Sequence, residues 1–192
     1  MNAIAPGYGG PGLLSCSNVS LSSLTHFQVD LNGTTPGAGY DQLNVHGSLD
    51  LGDATLSVTL GYTPAIGDSF VIINNDGADA ITGMFAGLPQ GAFLTNGVSI
   101  FRISYRGGDG NDVVLYRVNP PARLTSIARL ANSSVQLQGA GLSNLTYTIQ
   151  ASTNLLVWTN IGAALANLTG AFSFNDTNAP LFPLRFYRAL SP

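Results

Sequence analysis

Apolar and polar residues alternate one by one along much of the first part of the chain. In "FQVDL", residues 27–31, the first, third and fifth residues are apolar and the other two are polar. "QLNVHGSLDL" and "ATLSVTL" repeat this alternation. A period of two is typical of strands that bury one face. Only a residue or two of turn separates the strands of "VHGSLDLGDATLSV", which favours stacked solenoid rungs over a wide sandwich.

A second region begins after "VNPPAR", residues 118–123. Its two adjacent prolines cannot donate ladder hydrogen bonds and therefore stop a strand. Alternating runs then recur with turn signals about every 10 residues: "SVQLQ", "LTYTIQAS", "VWTNIG", "GAFSF" and "LRFYRA". We therefore predict a β-solenoid-like repeat region over 1–118 and a small β-sandwich over 122–192. Trp158 is expected in the core of the sandwich, because a large ring can anchor two packed sheets.

Composition supports an all-β fold. Charged residues make up 9% of the chain, against about 25% in typical soluble domains, and neither Glu nor Lys occurs. Those two residues normally cover the solvent faces of helices, whereas the Ser, Thr, Asn and Gly found here suit strands and turns. We predict an all-β protein with a nearly neutral surface rich in hydroxyl and amide groups.

Charge and hydropathy exclude several classes of function. The net charge is −3 and no basic run occurs, so we expect no nucleic-acid partner. No stretch approaches the ~20 apolar residues of a membrane-spanning helix, so we expect no membrane insertion. "MNAIAPGYGGPG" lacks the features of a signal peptide. Cys16 is the only cysteine, which excludes a disulfide framework and a cysteine-rich zinc site.

One stretch matches the sequence motif of a metal-binding repeat. "GGDGNDVVL", residues 107–115, fits the calcium-binding β-helix repeat. Calcium needs ~6–8 oxygen ligands, and the neighbouring nonapeptides "VSIFRISYR" and "YRVNPPARL" supply neither the glycines nor the aspartate of a second half-site. The favoured interpretation is a hairpin turn in which Asn111 or Asp112 caps the turn, with no metal bound. Calcium binding by the single repeat stays open.

Two further constellations are candidates for chemistry. His26 and His46 both point away from the core by alternation, and stacked rungs would bring them together near Asp30 as a metal site. Asp30 and Asp50 are the only pair of acids on outer strand faces, where a glycoside-cleaving pair would lie. The favoured interpretation of both sets is that they are polar residues exposed to solvent, with no chemical role. We therefore assign no catalytic or metal-binding residue and no cofactor.

Tyrosines near turns could bind sugar by stacking on its ring faces. Packing at strand ends is the favoured alternative for this set, which consists of Tyr8, Tyr40, Tyr62 and Tyr116. Cys16 lies among small polar residues in "LLSCSNVSL" and has no evident histidine partner, so it is interpreted as a serine-like position.

The order of several pieces resembles a known family. "LNGTTPG", "IINNDG" and "ISYRGGDGNDVVL", within residues 4–118, resemble the C-terminal end of solenoids built from autotransporter-associated β-strand repeats. "YTIQASTNLLVWTNIG", "GAFSFNDTNAP" and "RFYRA" resemble a short β-sandwich at the C-termini of large exported proteins of verrucomicrobial type. Neither resemblance supplies catalytic residues.

The resemblance implies a secreted or surface-displayed bacterial protein of which this chain is the last segment. The expected function is structural or adhesive, as a non-catalytic stalk and cap. The alternatives are a carbohydrate-binding module, formed by the C-terminal sandwich, that tethers a larger protein to polysaccharide and, third, a glycoside-active enzyme on a β-solenoid. The expected partners are extracellular polysaccharide or a surface protein. Because the first rungs carry Leu13, Leu14, Val19 and Leu21, we also expect self-association through their open edge.

Overall fold

The chain folds almost entirely into β-strands, as the composition predicts. A computed structural model describes residues 2–77, 79–119 and 121–191. Within those ranges the helical structure is one 3-10 turn, Ala179–Leu181. None of the described helices is long and apolar enough to cross a membrane. The chain divides into two compact units, unit 1 (residues 1–118) and unit 2 (residues 119–192). Of the two prolines at the predicted boundary, Pro120 lies outside the described residues.

Unit 1 contains eleven strands. They are β1 Asn2–Ile4, β2 Leu13–Cys16, β3 Val19–Ser20, β4 Thr25–Leu31, β5 Gln42–Val45, β6 Leu49–Asp50, β7 Thr55–Leu60, β8 Ser69–Asn75, β9 Phe93–Asn96, β10 Ser99–Gly107 and β11 Asp112–Val118.

Strands one rung apart pair in parallel. The first sheet has the order β1-β4-β7, the second begins β2-β5-β8, and the third is β3-β6. Phe27 lies opposite Leu56, 29 residues further on. Leu43 lies opposite Ile73, 30 residues further on. This nearly constant offset places like positions of successive rungs beside one another, so each sheet keeps one apolar and one polar face.

The parallel pairing does not continue to the end of unit 1. Strand β8 pairs in parallel with β5 on one side and antiparallel with β11 on the other, and β11, β10 and β9 continue the second sheet as antiparallel neighbours. Beyond β8, the only parallel pairing among the described residues is one isolated bridge between Asp50 and Thr82. The parallel stacking of the β-solenoid-like region predicted over 1–118 therefore extends only to β8, and the last third of the unit is antiparallel. A hairpin turn after Gly107 reverses the chain, and the reversed strand can only pair antiparallel.

Aromatic rings fill the interior of unit 1. Phe27 and Phe85 stack with ring centres 5.7 Å apart. Phe70 meets Tyr40 edge to face at 5.4 Å and Phe101 at 6.1 Å. All four phenylalanines are fully buried. Because these rings come from different sheets and from the loop before β9, they hold the sheets around one core.

Unit 2 is built from two three-stranded antiparallel sheets, in the orders β12-β13-β16 and β15-β14-β17. Their strands are β12 Arg123–Arg129, β13 Val135–Ala140, β14 Thr146–Ser152, β15 Thr159–Leu165, β16 Ala171–Asp176 and β17 Phe186–Leu190. Apolar side chains of both sheets form one buried cluster, as a sandwich requires. The core pair is Tyr147 and Phe172, which stack at 4.9 Å.

Trp158 is not in this core, contrary to the sequence prediction. Its side chain is half-buried in the loop before β15, and its indole N–H donates to the Leu155 carbonyl at 3.1 Å. Trp158 lies between β14 and β15, outside the strands whose inward positions fill the core. Tyr147 and Phe172 fill that core instead, and Gly139, opposite Phe172 in the same sheet, leaves room for the Phe172 ring, since a Cβ there would lie 2.1 Å from it.

Phe27→Ala should destabilise unit 1 by about 3–5 kcal/mol, because it removes a fully buried ring from a stacked pair. Val98→Ala, at an exposed position of the same unit, should change stability by less than about 0.5 kcal/mol. Urea unfolding of both variants measures the difference. Equal stability of the two would contradict the proposed core.

Residues 122–192 should fold when expressed alone, because unit 2 has its own buried cluster drawn from both sheets. A domain of about 70 residues is marginal in size, so the measured stability should be low. Amide NMR should show the wide dispersion of a β-sandwich. A narrow spectrum typical of a disordered chain would mean that unit 2 depends on unit 1.

Candidate functional site

A buried aspartate organises the loop that joins β1 to β2. Asp41 is 1% exposed. Its Oδ1 accepts the Gly12 N–H at 2.7 Å, and its Oδ2 accepts the Asp30 N–H at 2.9 Å. The Asp41 N–H in turn donates to the Asp30 carbonyl at 3.0 Å. The carboxylate therefore fastens the end of the loop to β4 with charge-assisted hydrogen bonds.

Close packing within this loop requires glycine. A Cβ at Gly7 would lie 1.9 Å from the Gly10 carbonyl oxygen and 2.6 Å from Asp41 Oδ1. Gly9 adopts a positive φ of 76°, which L side chains rarely adopt. Between these two glycines stands Tyr8, whose side chain is fully exposed. The loop thus holds an aromatic ring in solvent beside the first sheet.

The outer face of the first sheet is a ladder of polar side chains. Gln28 on β4 lies opposite Ser57 on β7, and Asp30 lies opposite Thr59. The alternation that sends Phe27 into the core sends these four side chains outward. Neighbouring strands are about 4.8 Å apart, so each pair presents two hydrogen-bonding groups at adjacent positions.

Loop and ladder together enclose a cleft of about 320 Å³. Its walls are Ala5, Gly7, Tyr8, Gly9, Gln28, Asp30, Asp41, Ser57 and Thr59. They offer an aromatic ring, a carboxamide, two hydroxyls and two carboxylates, and no cationic side chain. The Asp30 carboxylate has no hydrogen-bond partner among the described residues, whereas both oxygens of Asp41 are occupied. Asp30 is therefore the carboxylate that can accept hydrogen bonds from a ligand.

The structure separates the residues of the predicted metal site. His26 lies on β4 in the first sheet, and His46 follows β5 in the second. His46 Nδ1 lies 3.2 Å from Asp76 Oδ2, not near Asp30. Among the described residues, no three His, Cys, Asp or Glu side chains cluster as metal ligands. The idea that stacked rungs would bring the two histidines together is wrong, because β4 and β5 belong to different faces of the rung.

The predicted acid pair is also divided between sheets. Asp50 belongs to β6 in the third sheet, where its Oδ1 accepts the Gly52 N–H at 3.0 Å. That bond caps a turn, as aspartate commonly does. Only Asp30 of the pair lies in the cleft.

Three of the four tyrosines pack or hydrogen-bond within unit 1, and Tyr8 does not. Tyr40 is buried. Tyr62 donates its hydroxyl to Asp68 Oδ2 at 3.3 Å. Tyr116 lies beneath the Arg102 guanidinium, which is 5.9 Å from the ring centre.

Cys16 lies opposite Val45 and packs against the apolar core, away from the cleft.

The glycine-rich nonapeptide forms a hairpin turn between β10 and β11, as the favoured interpretation has it. Asp112 is buried, and its Oδ1 accepts the Asn75 N–H at 2.9 Å. Burial raises the pKa of this carboxyl above its usual range. Gly110 has a φ of 125°, and a Cβ at Gly108 would lie 1.6 Å from the Asp112 carboxylate. The glycines are thus explained by backbone geometry and close approach.

Sequence reasoning missed Asp41. Alternation assigned Asp30 and Gln28 to the outer face, but Asp41 directly precedes a strand and reads as an ordinary turn aspartate. Its partner Gly12 is 29 residues away in the sequence. Only the pairing register brings the two together.

Comparisons of the chain with models of known protein families, with curated proteins and with solved structures found no match. The resemblance to autotransporter-associated repeats and to the verrucomicrobial-type sandwich therefore stays a prediction.

Chelation by EDTA should leave the melting temperature of unit 1 unchanged, because the sequence supplies only half of a calcium site and Asp112 Oδ1 already accepts the Asn75 N–H at the end of β8. The measurement is decisive because two buried amide oxygens next to Asp112 have no hydrogen-bond partner within the described part of the chain. They are Asn75 Oδ1 and Asn111 Oδ1. A fall of several degrees that added calcium restores would show that these oxygens and Asp112 hold a cation. A site at 100 times its dissociation constant would add ~2.7 kcal/mol.

Proposed function

We propose that this chain is a non-catalytic structural and adhesive segment of a secreted or surface-displayed protein, and that its polar cleft binds neutral polysaccharide. The parallel ladders of unit 1 supply the stiff support, since successive strands share backbone hydrogen bonds along each sheet. The cleft supplies the adhesive contact. The bacterial, exported origin of the protein is part of the same proposal.

One observation carries the proposal: a fully exposed tyrosine stands beside a ladder of carboxylate, carboxamide and hydroxyl groups. Apolar faces of sugar rings stack on aromatic side chains. Their hydroxyls need donors and acceptors at fixed positions, and a sheet face held by the β4–β7 register provides them. The volume of about 320 Å³ lies at the lower end for small-molecule sites, which run from ~300 to ~1,000 Å³. A single sugar residue of a longer chain fits that size.

The negative charge of the cleft favours a neutral saccharide over an anionic one as the ligand. Its lining contains two aspartates and no arginine, so a uronic acid or a sulfated sugar would meet like charge. Asp30 accepts hydrogen bonds from neutral hydroxyls as a charge-assisted acceptor.

The geometry of the cleft supports binding over hydrolysis. Glycoside cleavage needs two carboxyl groups that are both able to act on the scissile bond. In the cleft, both oxygens of Asp41 accept backbone N–H groups, which leaves Asp30 as the single available carboxylate.

The aromatic rings of unit 2 favour the cleft of unit 1 as the saccharide site. The Arg188 guanidinium lies 4.3 Å from the Trp158 ring centre, and that of Arg185 lies 4.1 Å from the Phe182 ring centre. Each ring therefore has one face already occupied. Tyr8 carries no such partner among the described residues.

Native gel electrophoresis through soluble polysaccharides tests the proposal, since the net charge of −3 carries the protein into the gel. We expect retardation in at least one neutral polymer, chosen from dextran, xyloglucan and mixed-linkage glucan, and none in anionic alginate. Tyr8→Ala should lower the affinity at least ~10-fold, the loss of one stacked ring. Asp30→Asn should weaken binding while it preserves the shape of the cleft.

Phe93→Ala is the matched control, because Phe93 is an exposed aromatic residue of unit 1 outside the cleft. Its retardation should equal that of the unaltered protein. Free migration in all neutral polymers, or equal loss in Phe93→Ala and Tyr8→Ala, would contradict a saccharide site at Tyr8.

A further inference from the structure

Two loops at one end of unit 2 expose a cluster of apolar side chains. The β14–β17 register sets Ser152 opposite Phe186, so the loop after β14 and the segment before β17 leave the sheet side by side. Both line one small pocket, through Val157 of the first loop and Phe182 of the second segment. The exposed apolar residues of these two loops, here called the apolar tip, are Leu155, Leu156, Val157, Leu181, Phe182 and Leu184.

Local hydrogen bonds hold the first loop in shape. The Asn154 side-chain oxygen accepts the N–H groups of Leu156 and Val157 at 2.9 and 3.0 Å. The Ser152 hydroxyl accepts the Leu155 N–H at 2.9 Å. Leu155 itself has a φ of 63°, an uncommon and strained conformation for a leucine. Hydrogen bonds to polar side chains thus hold the loop in a conformation that exposes its leucines to solvent, and Leu156 is 85% exposed.

The second segment is fixed by other means. It contains the 3-10 turn Ala179–Leu181, with Pro180 inside it and Pro183 just beyond. The Phe182 ring lies against the Arg185 guanidinium, whose Nε donates to Asp176 at 3.1 Å. Leu181, at 76% exposed, therefore projects from a stiff turn.

Unit 2, which carries the apolar tip, has a net positive charge. Unit 2 contains four arginines and a single acid, Asp176, for a net charge of +3, whereas unit 1 contains nine aspartates and three arginines. Asp176 is already occupied by Arg185, the Tyr187 hydroxyl and the Asn178 N–H. Arg188 is exposed above the Trp158 ring and has no carboxylate partner among the described residues.

We propose that the apolar tip of unit 2 docks the protein on the surface of an anionic lipid bilayer, with its side chains in the interfacial layer. The membrane insertion that the sequence argues against is that of a spanning helix, which this contact does not need. Segments that lie in the membrane interface without spanning it typically combine leucine, phenylalanine and tryptophan with neighbouring arginines. The two loops of unit 2 have this composition. The cation Arg188 complements anionic headgroups. The site is separate from the saccharide cleft and stands whether or not that cleft binds sugar.

The shape of the apolar tip favours lipid over a protein partner. Its leucines project from two adjacent loops, and the pocket between the loops measures only about 240 Å³. Projecting apolar side chains enter a deformable bilayer without a matching groove, whereas a protein partner must provide one.

The single tryptophan reports on this site directly, because Trp158 lies in the first loop and no other tryptophan contributes to emission. The full chain is mixed with vesicles of phosphatidylcholine alone and of phosphatidylcholine with phosphatidylglycerol, and binding is scored by sedimentation and by Trp158 emission. We expect co-sedimentation and a blue shift with the anionic vesicles, and weaker binding to the neutral ones. High salt should reduce the difference.

The double variant Leu156→Ser/Leu181→Ser should lower partitioning at least ~10-fold, because it removes two inserted side chains. Leu168→Ser is the matched control, since Leu168 is 84% exposed on unit 2 but lies outside the apolar tip. Both variants should melt at the temperature of the unaltered protein. Arg188→Gln, scored by sedimentation alone, should reduce the preference for anionic vesicles.

Three results would overturn the lipid assignment. The first is no binding to either vesicle. The second is equal loss in Leu168→Ser and in the double variant. The third is a Trp158 blue shift that grows with protein concentration in the absence of vesicles, which would show that a second copy covers the apolar tip.

Discussion

The parallel register of unit 1 is the constraint on which the rest of that unit depends. Strands β2 to β5 each lie beside a parallel strand 29 or 30 residues further along, so equivalent side chains meet across the ladder. The alternation of apolar and polar residues along each strand then determines which residues lie on each face of the sheet. The inward set builds the core around Phe27 and Phe70, and the outward set builds the polar ladder of the cleft. A slip of one residue would exchange the two faces.

Asp41 fixes the loop that carries Tyr8 beside the polar ladder. The loop begins at β1, which pairs with β4, and the two oxygens of Asp41 fasten its other end to β4. The free-energy cost of burying that charge is offset by two charge-assisted hydrogen bonds. Asp41 itself is 1% exposed, which leaves Asp30 as the exposed carboxylate of the cleft.

The sequence predicted the strands and their faces well, because alternation depends only on neighbouring residues. Gln28 and Asp30 point outward as expected, and the glycine nonapeptide forms a hairpin. Features that depend on long-range pairing were not predictable. The separation of His26 from His46 follows from their different sheets, and Trp158 stays outside the core because it lies in the loop between β14 and β15. Asp41 and the apolar tip of unit 2 likewise depend on which segments become neighbours.

Disulfide trapping tests the register most directly. In a Cys16→Ser background, Gln28→Cys and Ser57→Cys stand opposite each other on adjacent parallel strands. Neighbouring strands about 4.8 Å apart place their Cα atoms within the ~4.4–6.8 Å that a disulfide needs. Mild oxidation should therefore form an intramolecular disulfide in this pair. It should not do so in Gln28→Cys/Val58→Cys, whose side chains face opposite sides of the sheet. No disulfide in the first pair, or equal yields in both, would contradict the register and the cleft built on it.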